Sequence, residues 1–262
     1  MKRTLSEFAS FARSIGFQVD LALQVAARLP HLWKRRMWVS EQLFLSGVKV
    51  LHVVLLVGFF MGMIVSLQTG IELSRIGQQD QIGTIVGISM AREMGPFITG
   101  IILAATVGSA LAAELGTMSV SDELAALEVL SVDRTSFLVL PRLVALTIIC
   151  PLLTVLADTV GILGGGFVAQ AQLNVGFELF FDSAIEALQT PGKIIPIPKD
   201  VYAGLFKSTV FGTLVSVISC SAGLRAKGGA LGVGNATRQA VRDSIIAIII
   251  ANYFMTWLFY QA

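Results

Sequence analysis

Apolar residues run through this chain in five long blocks, at approximately 44–68, 84–116, 138–171, 203–223 and 242–260. A helix needs about 20 apolar residues to cross a bilayer, so the pattern predicts about five transmembrane helices. The second and third blocks are longer than one crossing requires and contain Pro96, Pro141 and Pro151. Tilt, kinks or extension beyond the lipid are expected there. Small-residue spacings at Gly58/Gly62, Gly83/Gly87 and Gly161/Gly165 let helix backbones approach closely, although glycine is common in membrane helices. No internal repeat is evident, which weakens the case for an inverted-repeat transporter.

Residues 1–40 follow a different pattern. Leu5, Phe8, Ala12, Ile15, Val19, Ala22, Ala26 and Leu29 recur at three- and four-residue steps, with Arg13, Gln18, Asp20 and Gln24 between them. Pro30 interrupts, and Lys34-Arg35-Arg36 follows, flanked by Trp33 and Trp38. Basic and Trp anchors beside an amphipathic helix describe an element lying in the membrane interface. A soluble helix packed on a partner is the alternative. The first long apolar run begins only near Leu43, after a charged stretch, unlike a signal peptide.

Two connecting segments are also amphipathic. Between the second and third blocks, Leu124, Leu127 and Val129/Leu130 form an apolar side and Asp122, Glu123 and Glu128 an acidic one. Ser119 with Asp122 three residues on resembles a capping box. Such a helix either docks in a partner's groove or simply covers the bundle. Between the third and fourth blocks, Phe177, Phe180, Phe181, Ile185 and Leu188 alternate with Glu178, Asp182 and Glu186 at helical spacing. A short helix ending near Pro191-Gly192 is expected there. The glycine-rich stretch Gly223–Gly234 lacks the Gly-Lys-Ser/Thr of a phosphate loop and is expected to be a flexible turn.

Composition sharpens this picture. Hydrophobic residues make up 55% of the 262 and charged ones 14%, against roughly 25% charged in soluble domains. With a mean hydropathy of +0.78, that much apolar surface has to face lipid rather than one core. The fold class is an all-α integral membrane protein. A net charge of +2 is too small to point to nucleic acid. Lys and Arg crowd one side of the predicted topology: Lys2, Arg3, Arg13, Arg28, Lys34, Arg35, Arg36, Lys49, Arg134, Arg142, Arg225, Lys227, Arg238 and Arg242. The other side holds Arg75, Lys193, Lys199 and Lys207 and most acidic loop residues. The positive-inside rule then places the N-terminus in the cytoplasm and the C-terminus outside.

Charges within the spans are costly, roughly 2.5–3.5 kcal/mol each on insertion scales, and need partners or a wet cavity. Arg92-Glu93 stands just before Gly95-Pro96, where the proline removes a helical hydrogen bond and opens a bend. Adjacent helical residues point about 100° apart, so these two should face different neighbours. Glu114, Asp158 and Lys207 are further candidates, either for headgroup recognition or for pairing that fixes helix packing. His52 and the two cysteines, Cys150 and Cys220, are expected in packing roles. No Ser/His/Asp set, metal-ligand cluster or CxxC occurs, so no catalytic or metal site is expected.

Arg92-Glu-Met-Gly-Pro96, Ala105-Thr-Val-Gly-Ser-Ala-Leu-Ala-Ala-Glu-Leu-Gly116 and Asp122–Asp133 through Leu140-Pro-Arg142 resemble the MlaE/YrbE permease family. Gly204–Phe211 and Gly234–Val241 continue the resemblance over nearly the whole chain. It implies one ABC permease domain over 1–262, with 1–40 interfacial and 44–260 the five-span bundle. It also implies an inner-membrane homodimer that moves phospholipids or related lipids. The implied partners are a cytoplasmic ATPase, which alone binds ATP, and an extracytoplasmic MCE-domain protein. The permease itself would be neither an enzyme nor a cofactor binder. By the same resemblance, Arg92 and Glu93 match the family's charged pair near the lipid pocket, and Lys207 a basic position in the fourth span. Residues 119–133 match the coupling helix, with Asp122, Glu123, Leu124, Leu127 and Glu128 as its contact residues. Where some members carry an acidic residue in the last span, this chain has Asn252, which leaves the extension of a charge network to that helix open. The competing classes are an ATPase-independent secondary transporter or channel, and a scaffold that only anchors MCE proteins.

Overall fold

The computed structural model describes residues 2–30, 36–191 and 198–260, with side chains from residue 14 onward. Among the described residues the chain is helical apart from short connections. The helices are α1 (Lys2–Arg28), α2 (Arg36–Arg75), α3 (Gln79–Val120), α4 (Glu123–Val129), α5 (Thr135–Leu173), α6 (Phe177–Leu188), α7 (Lys199–Leu224) and α8 (Gly229–Tyr260). Of these, α2, α3, α5, α7 and α8 are long and apolar enough to cross a membrane. Of the basic and Trp anchors expected between α1 and α2, Trp33, Lys34 and Arg35 lie outside the described residues, as does Lys193.

The spanning helices outrun their apolar blocks, and the longest extension at a single end is that of α8. It begins at Gly229, thirteen residues before the expected start at 242, so much of the expected flexible turn is helix. Gly228 and Gly229, both at positive φ, confine the turn to a few residues. Likewise α2 starts at Arg36 and absorbs the end of the expected interfacial segment. Hydropathy marks where lipid contact begins, while helix bounds follow backbone hydrogen bonding, which polar residues sustain equally well. The expected capping box at Ser119 is also absent. Asp122 sits in the left-handed region at φ 61° with no side-chain cap bond, and Ser119 Oγ instead donates to the carbonyls of Leu224 and Ala226.

The chain forms two compact units. One comprises Met1–Ser46, Ala104–Leu146 and Thr213–Ala247. Its core gathers Leu21 and Val25 of α1, Val39 of α2, Leu115 of α3, Leu124 of α4, Leu138 and Val144 of α5 and Cys220 of α7. The face of α1 that is covered carries Phe17, Leu21 and Val25 rather than the stripe read from its periodicity, of which Ile15, Val19 and Leu29 stay exposed. Arg28 pairs with Asp133, and Thr135 Oγ1 donates to Gln24 Oε1 at 3.2 Å, tying α1 to the segment after α4. In α5, Arg142 pairs with Glu114 of α3 at 3.1 Å, a contact that leaves the Glu114 side chain largely exposed.

The other unit comprises Gly47–Leu103, Thr147–Gly212 and Ile248–Ala262. Here Gly58 and Gly62 of α2 meet the backbone of Ala157 and Gly161 in α5, and Ser66 Oγ donates to the Gly165 carbonyl at 2.8 Å. Gly83 and Gly87 seat α6 against the start of α3, over the fully buried Phe180. A Cβ on Gly62 would run into the Gly161 carbonyl, a backbone contact with no side chain to swing aside. Gly62→Val is therefore expected to cost more than the ~3 kcal/mol upper range of ordinary overpacking. Thermal unfolding of the detergent-solubilised chain checks this; an unchanged midpoint would rule out the close packing. His52, expected as a packing residue, is exposed on α2.

Candidate functional site

The charged pair expected at Arg92 and Glu93 sits on a wide π turn, Met90–Met94, immediately before Gly95-Pro96. Proline at position 96 has no N–H to give back to the preceding turn, and the extra residue of a π turn is a common accommodation, often at functional sites. The turn is crowded by α7, where a Cβ on Gly204 would strike the Ala91 carbonyl. That close approach brings the side chains of α7 within reach of the turn.

Arg92 and Glu93 do face different neighbours. Glu93 Oε1 accepts from Lys207 Nζ at 2.5 Å and from Thr256 Oγ1 at 2.8 Å, and Glu93 Oε2 accepts from Asn252 Nδ2 at 3.0 Å. Arg92 turns the other way. Its Nε donates to Asp200 Oδ1 at 2.9 Å and its Nη2 reaches the same oxygen at 2.8 Å. Its guanidinium lies 4.1 Å from the centre of the Tyr260 ring, a cation–π distance, while Tyr260 OH donates to Asp200 at 2.7 Å. Two neutral pairs, Glu93–Lys207 and Arg92–Asp200, therefore stand side by side on one turn, bridged to α7 and α8.

Lys207 is wholly enclosed, with no side-chain exposure. Its three ammonium protons meet three acceptors: Glu93 Oε1, the Arg92 carbonyl at 3.2 Å and Thr256 Oγ1 at 2.7 Å. A lysine has three donors, so none is left over. The groups still reachable from outside are Arg92, 34% exposed, and Glu93, 24% exposed. Lys207 thus fixes Glu93 in place, while Arg92 and Glu93 present the charge.

All four residues singled out in the sequence, Arg92, Glu93, Lys207 and Asn252, come together here. Asn252 extends the network to α8 as a neutral donor. Asp200, Thr256 and Tyr260 were not foreseen. Thr256 follows Asn252 by four residues, one turn on the same helix face, and that polar stripe within an apolar span was the available signal. Asp158 stays apart from the two pairs. Its Oδ1 has no hydrogen-bond partner among the described residues and lies against Gly95.

The acidic segment in the first unit divides into two faces. Leu124 is buried and Leu127 half-buried in the core, so these two hold α4 down. Val129 and Leu130 are 85% and 71% exposed. Asp122, Glu123 and Glu128 stand in the solvated part of the segment, with Glu123 bonded to Ser121 and Glu128 paired to Arg134 at 2.7 Å.

Five long apolar helices carrying a paired polar centre define a multi-pass membrane protein. The family model for permease MlaE matches residues 39–258, and the chain belongs to that family. It is 39% identical over 223 residues to a probable ABC transporter permease protein of Rickettsia prowazekii (strain Madrid E), covering 85% of this chain and 83% of the relative. A probable ABC transporter permease protein of Synechocystis sp. is 38% identical over 84% of this chain and 81% of its own length. The protein TRIGALACTOSYLDIACYLGLYCEROL 1, chloroplastic, of Arabidopsis thaliana is 38% identical over 84% of this chain and 61% of the plant protein. The chain is accordingly an ABC transporter permease, a transporter component rather than a catalyst.

Proposed function

We propose that this permease moves phospholipids or related lipids between the inner membrane and an extracytoplasmic MCE-domain partner, driven by a separate ATPase that binds the ATP. The observation that carries this is the ion-paired centre of Arg92, Glu93, Lys207 and Asp200 within apolar spans, where Arg92 and Glu93 stay partly exposed and so able to meet a headgroup. A plant relative named for a glycolipid supports a lipid cargo. The basic flank of the chain faces the cytoplasm, with the N-terminus inside and the C-terminus outside. Two copies assemble through α8, whose residues Ile249, Ile250, Tyr253, Phe254, Trp257 and Leu258 are exposed and apolar. In the cytoplasm, the ATPase engages the 119–133 segment and its movement alters the lipid site.

Reconstitution of the permease with its ATPase and MCE partners in vesicles, with a fluorescent phospholipid, tests this. Glu93→Lys sets two like charges together beside Lys207, and is expected to slow ATP-dependent lipid transfer by at least about tenfold, roughly 1.4 kcal/mol. Transfer unaltered by the charge reversal removes Glu93 from the mechanism. Transfer that persists without the ATPase overturns the ATP-driven scheme in favour of a secondary transporter or channel.

A further inference from the structure

In the first unit a cavity of about 760 Å³ opens where α1 meets the turn between α7 and α8. That volume is within the roughly 300–1,000 Å³ range of small-molecule sites. The charged groups lining it are Arg225, Lys227, Arg242 and Asp243. Arg242 Nε donates to Asp243 Oδ1 at 3.0 Å, so that pair is neutral overall. Among the described residues, neither Arg225 nor Lys227 enters an ion pair. The cavity therefore carries a surplus of two positive charges.

Arg225 is held in place by neutral partners only. Its Nη2 donates to Ser14 Oγ at 2.6 Å, its Nε to the Ser221 carbonyl at 3.2 Å, and its guanidinium lies 5.4 Å from the centre of the Phe17 ring. Two of its five N–H groups are thereby used, and the rest stay available for a ligand. Burial pushes the guanidinium down from its ordinary value, with Asp243 opposing that shift. A half-buried cation without a contacting counter-charge is stabilised when an anion arrives. Lys227 is exposed at the rim. On the α8 side, Asn235 and Gln239 supply amide donors, and the positive end of the α8 dipole lies at the same turn because the helix begins at Gly229.

We propose that this cavity binds a phosphate-bearing anion, clasped between Arg225 and Lys227 and oriented by Asn235 and Gln239. The guanidinium fork suits two phosphate oxygens at once, while the lysine adds a mobile point charge from the rim. Two sources share this chemistry: the headgroup of an acidic phospholipid, and free inorganic phosphate. The site is separate from the Arg92–Glu93 centre and does not rest on the lipid-transport proposal, which stands or falls at Glu93.

The full-length chain in phosphatidylcholine nanodiscs, with or without phosphatidylglycerol or added inorganic phosphate, tests this by native mass spectrometry. Wild type is expected to retain one more anionic ligand per chain than Arg225→Gln, with occupancy lowered about tenfold. Since Arg225 also bonds Ser14 and Ser221, the exposed Lys227→Ala serves as a second variant. It should keep the wild-type melting temperature and lose several-fold in occupancy, whereas Arg75→Ala, an exposed arginine that does not line the cavity, should change nothing. Retention of phosphatidylglycerol but not of phosphate assigns the site to a lipid headgroup. Retention of phosphate assigns it to the free anion. Equal occupancy in wild type and Lys227→Ala, for both probes, overturns the proposal.

Discussion

Lys207→Met is expected to be the most damaging single polar substitution in the chain. It removes the cation from an enclosed ion pair and leaves Glu93 with only the Asn252 amide and Thr256 hydroxyl as partners. Breaking a buried pair by deleting one partner costs roughly 3–5 kcal/mol, because the surviving charge stays desolvated. Thermal unfolding in nanodiscs should show a large drop, and the Glu93→Gln/Lys207→Met double variant should recover most of it. The double variant also separates packing from function. Recovered stability with lipid transfer still abolished assigns a transport role to the charges. Recovered stability with normal transfer makes the pair a packing device. A single variant as stable as wild type would show that the pair is not buried.

The second large effect is expected at the exposed tip of the acidic segment. Val129→Glu/Leu130→Glu should weaken ATPase binding by about thirtyfold, roughly 2 kcal/mol, the scale of an interface hot spot. Both side chains project from α4 or its end and touch little of the chain itself, so stability should move by no more than about 0.5 kcal/mol. Leu124→Ala gives the contrasting result. Leu124 is 6% exposed within the core of its unit, and its truncation should cost about 2–5 kcal/mol of stability. Pull-down titration of the solubilised permease with the ATPase separates the two. Wild-type affinity in the Val129/Leu130 variant would place the docking surface elsewhere.

Glu93 and Lys207 were conspicuous as charges in apolar spans, because lipid makes any ionisable group there exceptional. Their partnership was not legible, since residues 93 and 207 are 114 positions apart and only folding shows which faces meet. Asp200 passed for an ordinary acidic loop residue, yet it accepts from both Arg92 and Tyr260. Leu124 and Val129 are both apolar members of the acidic segment, but five residues set them about 140° apart around a helix, so packing covers the first and leaves the second out.

The sequence by itself determined the solvent of this protein and its helical class. Five apolar blocks must satisfy every backbone group internally in lipid, and among helices that requirement is met within each segment alone. The amphipathic segments were likewise local facts, readable from periodicity. Tertiary structure decided the enclosure of Lys207 and the basic cavity beside Arg225. Each depends on contacts between residues far apart in the chain, and periodicity along one helix carries no record of its neighbour.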